Sequence, residues 1–185
     1  MQARSGYDSR DVSRLKTARV PPSLEADFRK AEALVSRFFE ERVEDPAHGC
    51  IEIAGERYVL VRAASLSVEF FALVDKLYGP GREAEARAFA RNILFDLAHA
   101  IGKSDARMFH QKMSLDDPIA RLSAGPIHFS HSGWAFVELA EGTDFNQTER
   151  LRLLYDHPYS FESDAWIRAG RKTEFPVCIM NAGYS

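Results

Sequence analysis

The segment Pro-Ile-His-Phe-Ser-His-Ser-Gly-Trp over residues 126–134 sets two imidazoles, His128 and His131, among two large rings, Phe129 and Trp134. Rings of this size supply apolar contact and stacking, and a histidine supplies one oriented hydrogen bond. The set therefore suits a small aromatic or phenolic ligand. The same residues equally suit a core whose histidines are satisfied internally. A metal is the third reading, and spacing decides it. Histidines three residues apart share a face on a helix and oppose each other on a strand. Pro126 and Gly133 predict against a helix here, and no Asp or Glu stands nearby in a ligand pattern. A complete metal centre is not expected from this segment.

A second group, Tyr155, Asp156, His157, Tyr159, Ser160 and Glu162, lies farther along. An Asp–His pair can perform general acid–base chemistry, so a small hydrolase or reductase working through Asp156 and His157 is the enzymatic alternative. It lacks a nucleophile. No Gly-x-Ser-x-Gly turn exists, and Cys178 has apolar neighbours, where a cysteine is normally a small packing residue. His157-Pro158 is also a turn signal, and Ser160 followed by Glu162 fits the start of a helix. Cys50 is remote from Cys178, and the chain holds no CxxC, phosphate loop, dinucleotide fingerprint or zincin motif.

The elements that must position these groups alternate in type. Pro21-Pro22-Ser23 closes a polar arm, with Ser23 as N-cap of a helix carrying Leu24, Phe28, Ala31, Val35 and Phe38. Their 4-3-4-3 spacing is heptad-like and fits either packing on the same domain or a dimer seam. Ile51 and Ile53, a turn at Ala54-Gly55-Glu56, then Tyr58, Leu60 and Arg62 predict a hairpin. Ser65 is expected to cap a helix with Leu66, Phe70, Leu73, Val74 and Leu77 inward, ended by Gly79-Pro80-Gly81. A longer helix is predicted over 83–101, with Ala86, Phe89, Ala90, Ile93, Leu97 and Ile101 on one face and Gly102 closing it. Residues 105–113 read as a further helical or irregular segment. A short helix is predicted from Asp116-Asp117-Pro118 to about Ser123. Residues 134–140 are apolar on both faces, like a strand covered on both sides, and 141–148 form a polar loop. Leu151, Leu153 and Tyr155, flanked by Asn146, Arg150 and Arg152, alternate like a half-buried strand, and Ser160 opens a helix with Phe161, Ala165, Trp166 and Ile167.

The 185 residues suffice for one domain with appendages, and 13 Phe, 6 Tyr and 2 Trp predict an aromatic interior. A net charge of −3 without a basic block argues against direct nucleic-acid contact. No apolar run approaches the ~20 residues of a membrane helix, and residues 1–20 lack a secretion-signal core. Two cysteines are too few for a disulfide framework and point to a reducing cytoplasm. The last stretch, residues 175–185, reads as the opening of a buried element without a stop signal, so the domain is expected to continue or to have been cut there.

Three stretches, 122–138, 155–166 and 176–185, together resemble the sensory region of the XylR and phenol-sensor type. In that region an activator-of-aromatic-catabolism domain runs into a 4-vinyl reductase-type domain. The hairpin around Gly55 and Gly-Lys-Ser-Asp-Ala at 102–106 fit its beginning. The resemblance spans most of 50–185 and leaves 1–43 out, beyond a general expectation of an N-terminal dimerising element. It implies a cytoplasmic module that holds a small aromatic effector in an enclosed pocket and is fused to an output ATPase, kinase or cyclase. It also implies a zinc held by the cysteine matching Cys178 together with Cys and Glu residues farther on. Those further ligands are missing here, so Cys178 supplies a partial site only and zinc is not expected from it alone. Aligned on Ala124-Gly125-Pro126 and Gly133, Phe129 stands at the sensors' histidine and His157 near their tryptophan, which argues against phenol itself.

The resulting expectation is an α+β module of small antiparallel sheets packed with several helices. It comprises a disordered arm over 1–20, a dimerisation helix within 21–45 and a ligand-sensing domain over 50–185. His128, Phe129 and Trp134 are the expected first wall of the pocket, with Tyr155, His157, Tyr159 and Trp166 as the second. The expected partners are a small aromatic effector, a second copy of the chain and an output domain, with no catalytic residues and no membrane. An assembly module without a ligand pocket, like subunits of vesicle-tethering complexes, is the remaining alternative.

Overall fold

A computed structural model describes residues 16–112, 115, 117–143 and 152–185. The arm expected over 1–20 is therefore seen only at its end, where β1 (Ala18–Arg19) is already part of a sheet. Ala18 is buried, and Glu32 accepts hydrogen bonds from the backbone N–H groups of Lys16 and Thr17, so this end of the arm is fixed and not disordered.

Helix α1 (Glu25–Glu40) buries Phe28, Ala31, Val35 and Phe38, the stripe read from the sequence. That stripe packs within this chain, chiefly on helix α4 (Pro118–Ser132), so the face expected to pair two copies is occupied by the chain's own core. Beyond α1 the predicted hairpin forms, with β3 (Cys50–Ile53) antiparallel to β4 (Glu56–Tyr58). A strand the sequence reading missed, β2 (Arg42–Asp45), pairs with β3 to complete a three-stranded antiparallel sheet.

Helix α2 (Val68–Tyr78) faces inward with Val68, Phe71 and Val74; of the expected inward set Val74 is buried, and Leu66 and Phe70 pack partly buried against the same cluster. Leu73 and Leu77 are 54% and 74% exposed. Helix α3 (Glu83–Lys112) does not stop at Gly102 but runs through it for 30 residues. Its inner stripe is Ala86, Ala90, Leu94 and Ala98, while Phe89, Ile93 and Leu97 stay partly exposed. Small residues face inward because neighbouring backbones come close. Helix α6 (Ile179–Tyr184) lies so near that a Cβ on Gly102 would sit 2.5 Å from the Tyr184 carbonyl oxygen. Gly102 is thus a contact glycine and not a cap.

Helix α4 overturns the expected short helix and irregular histidine segment. Asp117 caps it by accepting from the Ala120 N–H at 2.8 Å, Pro118 occupies its first turn, and Gly133 ends it with φ 79°. Strong signals at both ends carry the helix across Pro126, which removes one backbone donor from its interior.

The second sheet is mixed, in order β1-β5-β6: β5 (Val137–Leu139) runs parallel to β1 and antiparallel to β6 (Tyr155–Asp156). The expected covered strand shrinks to three residues. Most of the expected polar loop, with Asn146, Arg150 and Leu151, lies outside the described residues, as do Met113 and Asp116. Helix α5 (Phe161–Arg168) starts as predicted, with the Ser160 hydroxyl accepting from the Glu162 N–H at 3.3 Å.

The class is α+β, and the interior divides in two. One cluster joins α1 to α4, with Phe28, Val35, Phe109, Ile127 and Val137; the other joins α2, α3, α5 and α6, with Phe71, Leu94, Trp166 and Met180. Trp134 and Tyr184 pack against both. Among the described residues no helix is long and apolar enough to cross a membrane.

Candidate functional site

A cavity of about 320 Å³ opens within the first cluster. Helix α4 forms one side because Arg121, Leu122, Gly125, Pro126 and Phe129 recur at helical spacing on one face. Gly125 makes room: a Cβ there would meet nothing within 4 Å. Gly102, Ala106 and Phe109 of α3 and Phe28 of α1 form the floor. Val137 and Leu139 of β5, together with Leu153, Tyr155 and His157, close the opposite side, and Tyr184 with Ser185 fills the remaining edge.

The lining is mostly apolar, with few polar groups. His157 lies against Phe129 and Tyr155, with ring centroids 5.5 and 5.0 Å away. Its Nε2 is buried and has no hydrogen-bond partner among the described residues. Burial lowers its pKa against the opposing pull of Asp156, so the ring is neutral near pH 7. A neutral, unpartnered imidazole nitrogen on an aromatic wall offers a guest one hydrogen bond.

Behind Tyr184 lies a buried polar chain. The Tyr184 hydroxyl donates to Asp105 Oδ2 at 2.8 Å and stands 3.3 Å from His128 Nδ1. Since that hydroxyl's proton is directed to Asp105, its oxygen accepts from His128 Nδ1–H, leaving Nε2 as a bare lone pair. Nε2 is buried and has no partner among the described residues. Burial pushes the His128 pKa down to about 4 and the Asp105 carboxyl up, the latter opposed by the Tyr184 bond.

This has a measurable consequence. An unfolded histidine titrates near its ordinary value, so between pH 7 and pH 5 the unfolded chain takes up a proton at His128 that the folded chain refuses. Stability should fall as pH falls, by about 2 kcal/mol from this group over that interval. Denaturant unfolding of the wild type and His128→Phe at both pH values tests it. The wild type should lose about 2 kcal/mol more than the variant on acidification, and equal losses would refute the assignment.

Of the residues singled out from sequence, Phe129, Tyr155 and His157 line the cavity. His128 does not; its ring packs between Phe39 and Phe109, at 5.3 and 4.9 Å. Trp134 bridges Phe129, Phe161 and Tyr184 behind the wall. Tyr159 is 73% exposed, and Trp166 packs against Phe71 and Phe175 in the second cluster. Sequence reasoning missed Arg121, Tyr184 and Phe109, the first because the helix was ended near Ser123, one turn before the residues that share its face.

Because the histidine segment is helical, His128 and His131 share a side after all and flank the Phe39 ring, His131 at 5.0 Å. His131 Nε2 meets the Ser36 hydroxyl at 3.3 Å. Among the described residues no three His, Cys, Asp or Glu side chains gather as a metal site. Cys178 Sγ points at the Ser160 hydroxyl, 3.4 Å away, and the neighbouring Glu162 carboxylate is fully engaged by N–H donors. That donor set does not fit zinc. Asp156 is exposed on β6, and the Ser160 hydroxyl is engaged by the Glu162 N–H and by Asn181. Among the described residues nothing places a nucleophile beside Asp156 and His157.

No protein-family profile matches the sequence, and no curated protein matches it. The fold is similar to the crystal structure of the phenol-responsive sensory domain of the transcription activator PoxR with phenol. The match has a TM-score of 0.64 at 24% identity, over 82% of this chain and 72% of that one.

Proposed function

We propose that this chain is a small-molecule sensory domain of a bacterial transcription-regulatory or signalling protein, with a monocyclic aromatic effector held in the α3–α4–β5 cavity. The observation that carries the reading is the combination of an aromatic and aliphatic lining with the unpartnered Nε2 of His157. The cavity volume falls at the small end of ligand sites, about 300–1,000 Å³, which suits one ring with short substituents. The fold shared with a phenol-responsive domain agrees with it. A cytoplasmic location, an output domain and pairing of two copies belong to the same reading, because an effector transmits a signal only by favouring one arrangement over another.

Gly125→Leu tests the cavity directly. The added side chain enters open space, and removing a glycine from a helix interior is stabilising by about 1 kcal/mol. Binding of monocyclic aromatics, followed by calorimetry on the full chain, should vanish while the melting temperature holds or rises. Binding at wild-type strength in this variant would show that the ligand sits elsewhere.

A further inference from the structure

Arg121 is the charged side chain of the cavity lining among the described residues. It is half-buried, and its Nε donates to the Leu115 carbonyl, which anchors the side chain to the turn before α4. Its terminal nitrogens meet no carboxylate and no other acceptor among the described residues. The same wall is otherwise built of Leu122, Gly125, Pro126 and Phe129. A guanidinium stays charged at every accessible pH and presents its donors in a rigid planar fork. Half-buried in an apolar wall, with no counter-charge among the described residues, it carries a desolvation cost that a neutral guest leaves uncompensated. A carboxylate matches the fork in shape and in sign, through two parallel N–H···O bonds.

We infer that the cavity selects a small aromatic carboxylate, of the benzoate class, with Arg121 holding its carboxylate and the Phe129 and Tyr155 rings holding its ring. His157 then supplies a hydrogen bond to a second substituent, so a hydroxybenzoate is the best-matched shape. This inference rests on the cavity being the effector site. It departs from a neutral phenol, for which a charged fork has no use.

Calorimetry on the full chain with benzoate, 2-hydroxybenzoate, phenol and benzyl alcohol decides between them. The wild type should bind the two acids at least about tenfold more tightly than the two neutral ligands, the effect of one charge-assisted pair. Arg121→Gln should erase that preference while leaving phenol affinity within about twofold. Arg121→Lys, which keeps the charge but not the fork, should restore part of it. The wild-type ratio stands by itself if a variant fails to fold. Phenol or benzyl alcohol bound as tightly as benzoate, with Arg121→Gln indifferent, would overturn the carboxylate inference and leave the cavity as effector site. No binding of any of the four would overturn both.

Discussion

Glu162→Ala should unfasten the C-terminal helix. Glu162 is fully buried, and its carboxylate accepts from the N–H groups of Ile179, Met180 and Asn181 at 2.9, 2.9 and 3.0 Å and from Asn181 Nδ2 at 2.8 Å. The three backbone groups are donors of the kind that the first turn of any helix leaves without partners inside the helix. A side chain from a different helix takes the place of a cap, and a helix of six residues has little else to hold its start. Burial raises the carboxyl's pKa while the four donors oppose that shift, so the group tolerates its position only because they are present. Alanine leaves the Met180 and Asn181 N–H groups without an acceptor in the interior, leaves the Ile179 N–H only the Val177 carbonyl and Asn181 Nδ2 only the Ser160 hydroxyl, and opens a void. The expected loss is about 4 kcal/mol, which in a chain of this size lowers the melting temperature by about 8–16 °C. Glu162→Gln, which keeps shape but turns one acceptor into a donor, should fall between. Thermal unfolding of the alanine variant within about 2 °C of the wild type would contradict the role given to this carboxylate.

Gly183→Ala is expected to destabilise by about 3 kcal/mol. The sign is informative, because helix propensity alone favours alanine over glycine by about 1 kcal/mol. The added Cβ would stand 2.4 Å from the Phe95 carbonyl oxygen and 3.0 Å from the Phe95 Cα. Both are backbone atoms inside α3 and cannot turn aside as a side chain could. Relief requires α6 to lift from α3, and Tyr184 would leave the cavity edge with it. Loss of stability should therefore be accompanied by loss of aromatic binding, measured by denaturant unfolding and calorimetry on the same sample. A Gly183→Ala protein as stable as the wild type would show that the two helices do not make this contact in solution.

How far the sequence could be read depended on whether the signal was local. Ser160 opening α5, the Ala54-Gly55 hairpin and the α1 stripe were legible because each is set by residues a few positions apart. Pro126 and Gly133 misled because both were read as helix breakers, whereas Gly133 closes the helix as its C-terminal cap and Asp117 and Pro118 open it. Gly102 misled in the opposite way: the same residue type serves as a cap or as a contact, and only the partner helix decides. Val74 was legible on the inner face of α2, but Val68 and Phe71 joined it because α3 presents alanines to that side, a fact of packing that periodicity within α2 does not contain. For the site, Phe129, Tyr155 and His157 were readable as aromatic and imidazole groups in two clusters. Arg121 and Tyr184 were not, since neither carries a pattern until α4 is continuous and α6 folds back on α3.

The continuity of α3 makes it a beam held at two points. Its 30 residues span about 45 Å, and it rests backbone-to-backbone on α6 twice, Gly102 against Tyr184 and Phe95 against Gly183, about 10 Å apart. Beyond the first rest, Phe109 lies about 10 Å from Gly102 at the cavity floor; beyond the second, Phe89 lies about 9 Å from Phe95 on an exposed apolar face. Two rests forbid rocking about either alone, so a displacement at the cavity floor reaches the Phe89 face only if α6 travels with α3.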